Sequence, residues 1–348
     1  ADFLENTHLD ELRPEANLQL TLPGQYPALY EHINVHRHFM GLEQQRHIPY
    51  PEAAAHWYDT VYLPVVEIIR EQGLLRGFPE RTEADLYMWA AEHRVELDKE
   101  LEWEVTPGAA VADLAARAQS ESEPIVARVG EKILDAVVPD ELEDGPPPGE
   151  WRTAHLSTRR DERLFADILV AVNGEESGWH ALAQALEIAR REGSRLMGLH
   201  VVSSEEETVD PAAQAVQAEF LRRCEAAGVQ GKLVLTAGKV ARKICERARW
   251  TDLVVVSLRY PPPAQPLGRL GSGFRTLLRR CPRPVLAVPG GNWSMDRPLL
   301  AYDGSPKARE ALFVATYLAG RWSLALTVVT VLEKGRATSE TLTRARTY

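Results

Sequence analysis

The fold is decided by the stretch Asp167-Ile-Leu-Val-Ala-Val-Asn-Gly174, in which five apolar residues run without interruption into an asparagine and a glycine. An unbroken apolar run of this length is typical of a parallel strand that is buried on both faces. Gly174 permits the turn that must follow, and the apolar spacing over residues 178–191 predicts an amphipathic helix. The stretch therefore predicts the first βα unit of a parallel sheet.

The same alternation continues to residue 288. Further strands are predicted over residues 194–202, 232–236, 252–256 and 284–288, and helices over 211–227, 240–249 and 273–280. Five strands separated by helices predict an α/β fold with a doubly wound, five-stranded parallel sheet.

These segments resemble the universal stress protein (UspA-like) family, which shares its fold with the adenine nucleotide alpha hydrolase-like proteins. The resemblance covers residues 165–290 and rests on three strings that arrive in the family's order. They are Ile168-Leu-Val-Ala-Val-Asn-Gly174, Leu199-His-Val-Val202, and Gly271-Ser272 followed by Leu277-Leu-Arg-Arg-Cys-Pro-Arg-Pro-Val-Leu-Ala-Val288.

A partial second copy is predicted from residue 297 to residue 348. Arg297-Pro-Leu-Leu-Ala-Tyr-Asp-Gly-Ser305 repeats the opening strand, and residues 306–319 and 324–332 repeat the first helix and the second strand. A lone βαβ fragment cannot bury its own sheet face. Either the chain is truncated at Tyr348 or the fragment packs on the first domain; truncation is the preferred interpretation.

Residues 1–140 are predicted to form a separate, mainly helical domain. Residues 1–150 carry 11 basic and 30 acidic side chains, whereas residues 151–348 carry 29 and 20. The acidic, proline-rich stretch 141–164, which contains Gly145-Pro-Pro-Pro-Gly149, is predicted to be a linker, because proline fixes φ and removes a backbone donor.

A weak internal repeat with an offset of 57 residues indicates two similar helix-loop-helix units in the N-terminal domain. It pairs His36-Arg37 with His93-Arg94, Ile48 with Val105, and Ala53-Ala-Ala55 with Ala110-Val-Ala112. His56-Trp57-Tyr58 and Arg81-Thr-Glu-Ala-Asp-Leu-Tyr87 resemble the helical region that follows ParB/sulfiredoxin-like domains in bacterial proteins. The ParB motifs themselves are absent, so this resemblance implies no nuclease activity.

The universal stress protein resemblance implies an adenine-nucleotide site at the carboxyl ends of the strands, where strand order reverses. It implies base and ribose contacts after the first two strands and phosphate contacts before and at the start of the last helix, whose N–H groups attract anions. The positions concerned are Ala171, Val172, Asn173, Val201, Val256, Ser257, Arg269, Gly271, Ser272, Gly273 and Phe274.

The chain departs from the family pattern at this site. Asn173 stands where the family has aspartate, and Ser257 and Tyr260 stand where it has glycines that let phosphate approach the backbone. The loop that follows the fourth predicted strand is proline-rich. Other residues nearby favour anion binding. Six arginines and no acidic residue lie between Asp252 and Asp296, and guanidinium groups bind phosphate oxygens well. The balance predicts weak binding of ATP or another adenine nucleotide, or none.

No catalytic motif is present: the sequence lacks a Walker A loop, a GxGxxG loop, a GxSxG elbow and an HExxH motif. The leading hypothesis is therefore a non-catalytic stress-response regulator with a degenerate nucleotide site. One alternative is a purely structural or interaction module without a ligand. The other is a metal-dependent enzyme that uses N-terminal histidines such as His32 and His36, although surface histidines explain that spacing better.

The partners and location follow from the same features. The family dimerises through its last strand, which implies a homodimer through residues 285–288, and the helical domain is a candidate for binding a protein partner. The acidic N-terminal half disfavours nucleic acid, and no apolar run is long enough to span a membrane. The three cysteines are far apart in sequence, which indicates buried thiols in a cytoplasmic protein without a disulfide framework.

Overall fold

The computed structural model describes residues 3, 7–16, 18–21, 24–122, 151, 163–258, 273–291, 293–332 and 338–348, without the side chains of 117–122 and Arg275. These residues form two compact units, the first within residues 1–122 and the second from Trp151 onward. None of the described helices is both long enough and apolar enough to cross a bilayer.

The N-terminal unit is helical, as the sequence predicts. Its helices are α1 (Leu9–Leu12), α2 (Tyr26–Gln44), α3 (Tyr50–Trp57), α4 (Leu63–Glu71), α5 (Glu83–Leu101) and α6 (Pro107–Ser122). A π-helical turn, Tyr58–Tyr62, joins α3 to α4, and a 3₁₀ turn, Leu74–Gly77, follows α4. The core is rich in aromatic side chains: the Trp57 ring lies edge-on to Tyr87, with 5.7 Å between centroids.

The internal repeat is present in the structure. Helices α2 and α5 begin at residues 26 and 83 and end at residues 44 and 101, and α3 and α6 begin at residues 50 and 107, so each matched end is 57 residues apart. Gln45 and Glu102, which end α2 and α5, both have a φ of 52°. Ala53 and Ala110 are both fully buried. The sequence match therefore reflects two helix-loop-helix units of the same design.

The second unit contains the predicted five-stranded sheet. Its strands are β1 (Asp167–Ala171), β2 (Arg195–Val202), β3 (Gly231–Ala237), β4 (Leu253–Ser257) and β5 (Val285–Val288). All neighbouring strands are parallel, in the order β3-β2-β1-β4-β5. The connecting helices are α7 (Glu176–Glu192), α8 (Pro211–Ala226), α9 (Val240–Ala248) and α10 (Gly273–Arg280).

Both faces of the sheet are buried, because residues of β1 alternate between two layers of helices. Ile168 and Val170 join the core under α7 and α8, which also contains Phe220. Leu169 is fully buried as well, and it alternates with these two residues along the strand. The uninterrupted apolar run that opens the domain is thus explained by two-sided burial.

Residues 297–348 form a small βαβα unit beside this sheet. Strands β6 (Leu299–Ala301) and β7 (Thr327–Val329) are parallel, α11 (Pro306–Arg321) crosses between them, and α12 (Ser339–Thr347) follows. The unit has its own small core around Leu300 and Leu312. Side chains of α11 such as Phe313 and Tyr317 pack against the core of the five-stranded sheet domain. Of the two sequence-based alternatives, the structure shows the fragment packed on the preceding five-stranded domain.

Two details differ from the sequence-based expectations. Trp151 lies within the stretch predicted as a linker, yet it is buried and stacks on Phe165, with 6.4 Å between ring centroids. The thiols were expected to be buried, but only Cys224 is; Cys245 and Cys281 are partly exposed.

Candidate functional site

The carboxyl ends of the parallel strands bring most of the predicted base and ribose positions to one edge of the sheet. Ala171 ends β1, Val201 precedes the last residue of β2, and Ser257 ends β4 after the buried Val256. The strand order reverses between β1 and β4, and this is the place where open α/β sheets bind ligands.

Asn173 is engaged in the turn that starts α7. Its Oδ1 accepts a hydrogen bond from the Glu175 backbone N–H at 3.1 Å, and its Nδ2 donates to Glu175 Oε2, also at 3.1 Å. Gly178 lies so close that a Cβ there would be 2.3 Å from Asn173 Oδ1. An amide can both accept from and donate to Glu175, whereas the family's aspartate would meet the Glu175 carboxylate with like charge. The substitution therefore suits the local structure.

A cavity of about 550 Å³ opens beside this turn. It lies between the ends of β1 and β2 and the first turns of α8. The side chains and backbone that line it belong to Asn173, Gly174, Glu175, Trp179, His200, Val202, Glu207, Asp210, Ala212, Ala213, Ala215 and Val216. Of the predicted positions only Asn173 lines it; the described residues Val256 and Ser257 do not.

His200 and Trp179 are lining residues that the sequence reasoning missed. His200 Nδ1 lies 2.8 Å from the Val172 carbonyl oxygen. A carbonyl can only accept, so Nδ1 carries the proton and Nε2 of the neutral ring is an acceptor. The Arg223 guanidinium lies 4.7 Å from the Trp179 ring centroid. The sequence signal for His200 was its place near the carboxyl end of the second predicted strand, and that for Trp179 was its place in the first turn of the helix predicted after the first strand.

The charge of the cavity suits a base or sugar better than a phosphate. Glu175, Glu207 and Asp210 all line it. Carboxylates accept hydrogen bonds from sugar hydroxyls and exocyclic amines, but they repel phosphate oxygens. Glu207 also accepts a hydrogen bond from the Ser203 backbone N–H at 3.1 Å, which holds the loop after β2 in place.

The phosphate side of the predicted site lies largely outside the described residues. This applies to Arg269, Gly271 and Ser272. Gly273 and Phe274 form the first turn of α10. A Cβ on Gly273 would lie 3.5 Å from the Ala241 Cβ, an ordinary contact, so α10 starts directly against α9.

A second cavity, of about 650 Å³, lies between β5 and helix α11. Its walls are mostly apolar, including Phe165, Leu286 and Val314. Because Val285 and Leu286 line it, the edge strand that the sequence predicts as a dimer contact has one apolar flank that is incompletely covered.

The N-terminal histidines do not form a metal site in the described structure. His32 Nδ1 contacts the Tyr87 hydroxyl at 3.3 Å, and His36 Nε2 contacts His56 Nδ1 at 2.8 Å. Burial lowers the pKa of both His32 and His36, and His56 lowers that of His36 further. Across the described ranges, no three His, Cys, Asp or Glu side chains converge in a way that could hold a metal ion.

Comparison with known proteins supports the sequence resemblance over the second unit. Residues 165–289 match the model of the Universal stress protein family, and no curated protein matches the chain. The resemblances of residues 297–348 and of the N-terminal unit stay predictions.

Several solved structures are similar to this chain. A universal stress family protein from Burkholderia pseudomallei is 26% identical, with 37% of this chain and 100% of that chain covered and a TM-score of 0.30. A universal stress protein from Archaeoglobus fulgidus DSM 4304 is 20% identical over 54% of this chain and 74% of that one, with a TM-score of 0.45. A family protein from Arabidopsis thaliana with AMP bound is 21% identical over 36% and 92%, with a TM-score of 0.30. Residues 165–289 of this chain match the universal stress protein family in sequence, and they form a five-stranded parallel sheet with connecting helices.

Proposed function

We propose that this protein is a non-catalytic stress-response regulator of universal stress protein type whose adenine-nucleotide site is reduced to weak binding of the base and ribose. The observation that carries the proposal is the cavity of about 550 Å³ at the ends of β1 and β2. Its place at the carboxyl edge of the sheet suits a nucleoside, and its three carboxylates disfavour phosphate.

Calorimetric titration of the full chain with ATP and with adenosine tests this function. We expect both to bind with Kd values weaker than about 100 µM, a binding free energy of roughly −5 kcal/mol or less favourable. We also expect adenosine to bind at least as well as ATP, because the triphosphate meets acidic side chains.

A matched pair of substitutions on α8 locates the site. Ala215 is exposed and lines the cavity, whereas Ala218 is exposed on the same helix and does not. Ala215→Leu should narrow the cavity and weaken binding, and Ala218→Leu should leave binding unchanged. Micromolar binding of ATP would contradict the degenerate site. Absence of any binding would favour the alternative of an interaction module without a ligand.

We also propose that two copies associate along β5. This strand is at the edge of the sheet, and Val285, Leu286 and Ala287 are half-buried. An unpaired edge with apolar side chains readily pairs with another strand, and a charge on the edge discourages pairing. By light scattering, Ala287→Lys should shift a dimer to a monomer, whereas Ala301→Lys on the edge of β6 should not.

A separate observation supports the binding of a protein partner by the helical unit. Val35, Phe39 and Leu42 on α2 are 47%, 63% and 63% exposed. Their spacing puts them on one helix face, and an exposed apolar stripe of this kind is typical of a protein contact. A stoichiometric partner that co-purifies with the wild-type chain should be lost from the Phe39→Asp variant. It should be retained by Val209→Asp, which changes an apolar residue that is 75% exposed in the second unit.

A further inference from the structure

Two of the three cysteines meet where helices α9 and α10 end. Cys245 lies in the last turn of α9, and Cys281 directly follows α10. Each thiol acts on the pKa of the other as a hydrogen-bond partner, although the two cysteines are 36 positions apart in the sequence. Cys224, the third cysteine, is on the buried face of α8 and is 2% exposed in the hydrophobic core.

The backbone around the two thiols is held at both ends of the helix pair. At the start of α10, Gly273 packs against Ala241 of α9. At the other end, the Arg283 guanidinium donates hydrogen bonds to the carbonyl oxygens of Thr251 and Arg249, at 2.6 and 2.8 Å. The Cys281 N–H donates to the Leu277 carbonyl oxygen at 2.9 Å. These contacts hold the helix ends that carry the two thiols in fixed positions, and a disulfide requires a short Cβ–Cβ separation between its two cysteines.

The surroundings differ between the two thiols and give them different roles. The hydrogen bond from Cys281 and the nearby positive charge of Arg280 lower the pKa of Cys245. The same contact, together with burial, raises the pKa of Cys281. The lowered pKa of Cys245 favours its thiolate, which is the reactive form of cysteine. Both side chains are partly exposed, so a small oxidant reaches them.

We propose that Cys245 and Cys281 form a reversible, peroxide-sensitive dithiol–disulfide site. The Cys245 thiolate attacks hydrogen peroxide, forming a sulfenic acid and releasing hydroxide, which takes up a proton to give water. The Cys281 thiol then attacks the Cys245 sulfur, forming the S–S bond and releasing a second water. Two electrons pass from the two sulfurs to one peroxide, and a dithiol reductant reverses the change by thiol–disulfide exchange.

The bond would fasten the end of α10 to α9. Because α10 leads directly into β5, the crosslink also constrains the edge strand through the short segment 281–284. The inference is independent of nucleotide binding, since no residue that lines the cavity at β1 and β2 takes part in it.

The test uses the reduced full-length chain and hydrogen peroxide at equimolar concentration. Free thiols should fall from three to one, the chain mass should fall by about 2 Da as two hydrogens leave, and peptide mapping should join Cys245 to Cys281. Dithiothreitol should restore all three thiols. The melting temperature should rise by several degrees on oxidation, because the crosslink closes a long loop in the unfolded chain.

Single substitutions separate this site from general thiol oxidation. Cys224→Ser, the matched control, should form the same crosslink at the same rate. Cys281→Ser should leave Cys245 as a sulfenic acid that dimedone traps, whereas Cys245→Ser should give little trapped product at Cys281. The proposal is overturned if the wild-type chain forms no 245–281 crosslink, if oxidised chains are joined only to each other, or if Cys224 reacts as fast as Cys245.

Discussion

The Tyr317 hydroxyl of the βαβα unit donates a 2.6 Å hydrogen bond to Glu192 Oε2 at the end of α7, the first helix of the five-stranded sheet region. The other carboxylate oxygen accepts from Trp322 Nε1, also at 2.6 Å. The Leu164 N–H donates to the Tyr317 hydroxyl at 2.9 Å. Glu192 is 2% exposed, so this polar cluster is the specific part of an otherwise apolar contact between residues 297–348 and the preceding domain.

We expect Tyr317→Phe to lower the free energy of unfolding of the second unit by about 2 kcal/mol, because it removes one partner of a buried carboxylate and of a backbone N–H. Urea unfolding followed by tryptophan fluorescence measures the change. Tyr348→Phe is the control, since Tyr348 is 65% exposed, and it should stay within about 0.5 kcal/mol of wild type. Equal stability of both variants would mean that the hydrogen bond does not hold the contact.

The same tyrosine predicts sensitivity to alkali. Burial, together with the Glu192 hydrogen bond, raises the pKa of Tyr317 to about 12. The folded chain therefore keeps this proton when the unfolded chain has lost it. The contribution to stability is complete below about pH 10, the ordinary tyrosine pKa, and is lost as pH rises through about 12. Tyr317→Phe should flatten the fall in stability between these two values, and parallel curves for variant and wild type would contradict this assignment.

Asp85 predicts sensitivity of the N-terminal unit to acid. Burial alone would raise its pKa, but hydrogen bonds from Thr21 and Thr82 lower it overall. The Thr21 and Thr82 N–H groups each donate to the Asp85 carboxylate at 2.9 Å. Its contribution to stability is present above the ordinary aspartate pKa, about 4, and is lost as pH falls through the lowered value.

Asp85→Asn should cost about 2 kcal/mol at neutral pH and should weaken the loss of stability below about pH 4. Hydrogen exchange of α5 amides in the full chain measures the effect locally. Asp10→Asn, at an exposed position of α1, is the control. A variant that loses stability on acidification as steeply as wild type would count against Asp85 as the responsible group.

Gly178→Ala tests the closeness of α7 to Asn173. An added Cβ would lie 2.3 Å from Asn173 Oδ1 and 2.9 Å from its backbone nitrogen. We expect a loss of about 1–3 kcal/mol, typical of overpacking, and a change in the Asn173 side-chain NMR signals. Gly320→Ala is the matched control within a helix, since nothing lies within 4 Å of its Cβ position. It should be neutral or stabilising by about 0.5–1 kcal/mol, and equal effects at both positions would refute the close contact.

The order and approximate bounds of the five strands follow from the sequence. The run from Ile168 to Val172 needs two-sided burial, which only a central parallel strand provides. The 57-residue repeat likewise predicted matched helices, and α2 and α5 have matched bounds. These features are local or periodic, so they can be recognised without knowing what packs on them.

The candidate site was predicted less completely. The sequence located the carboxyl edge of the sheet, because every strand of a parallel sheet ends there. It missed His200 and Trp179, since their role depends on a cavity formed by the loop after β2. It also treated Asn173 as a weakened ligand, whereas the structure shows the amide bound to Glu175.

By itself the sequence determined the elements, their order and the division into a helical unit and a sheet unit, because hydrophobic periodicity and turn residues act over short distances. Only the tertiary structure decided that Cys245 meets Cys281 and that Tyr317 meets Glu192. Those contacts join residues that are far apart in the chain. Their geometry is set by how whole helices pack, which no local pattern of residues encodes.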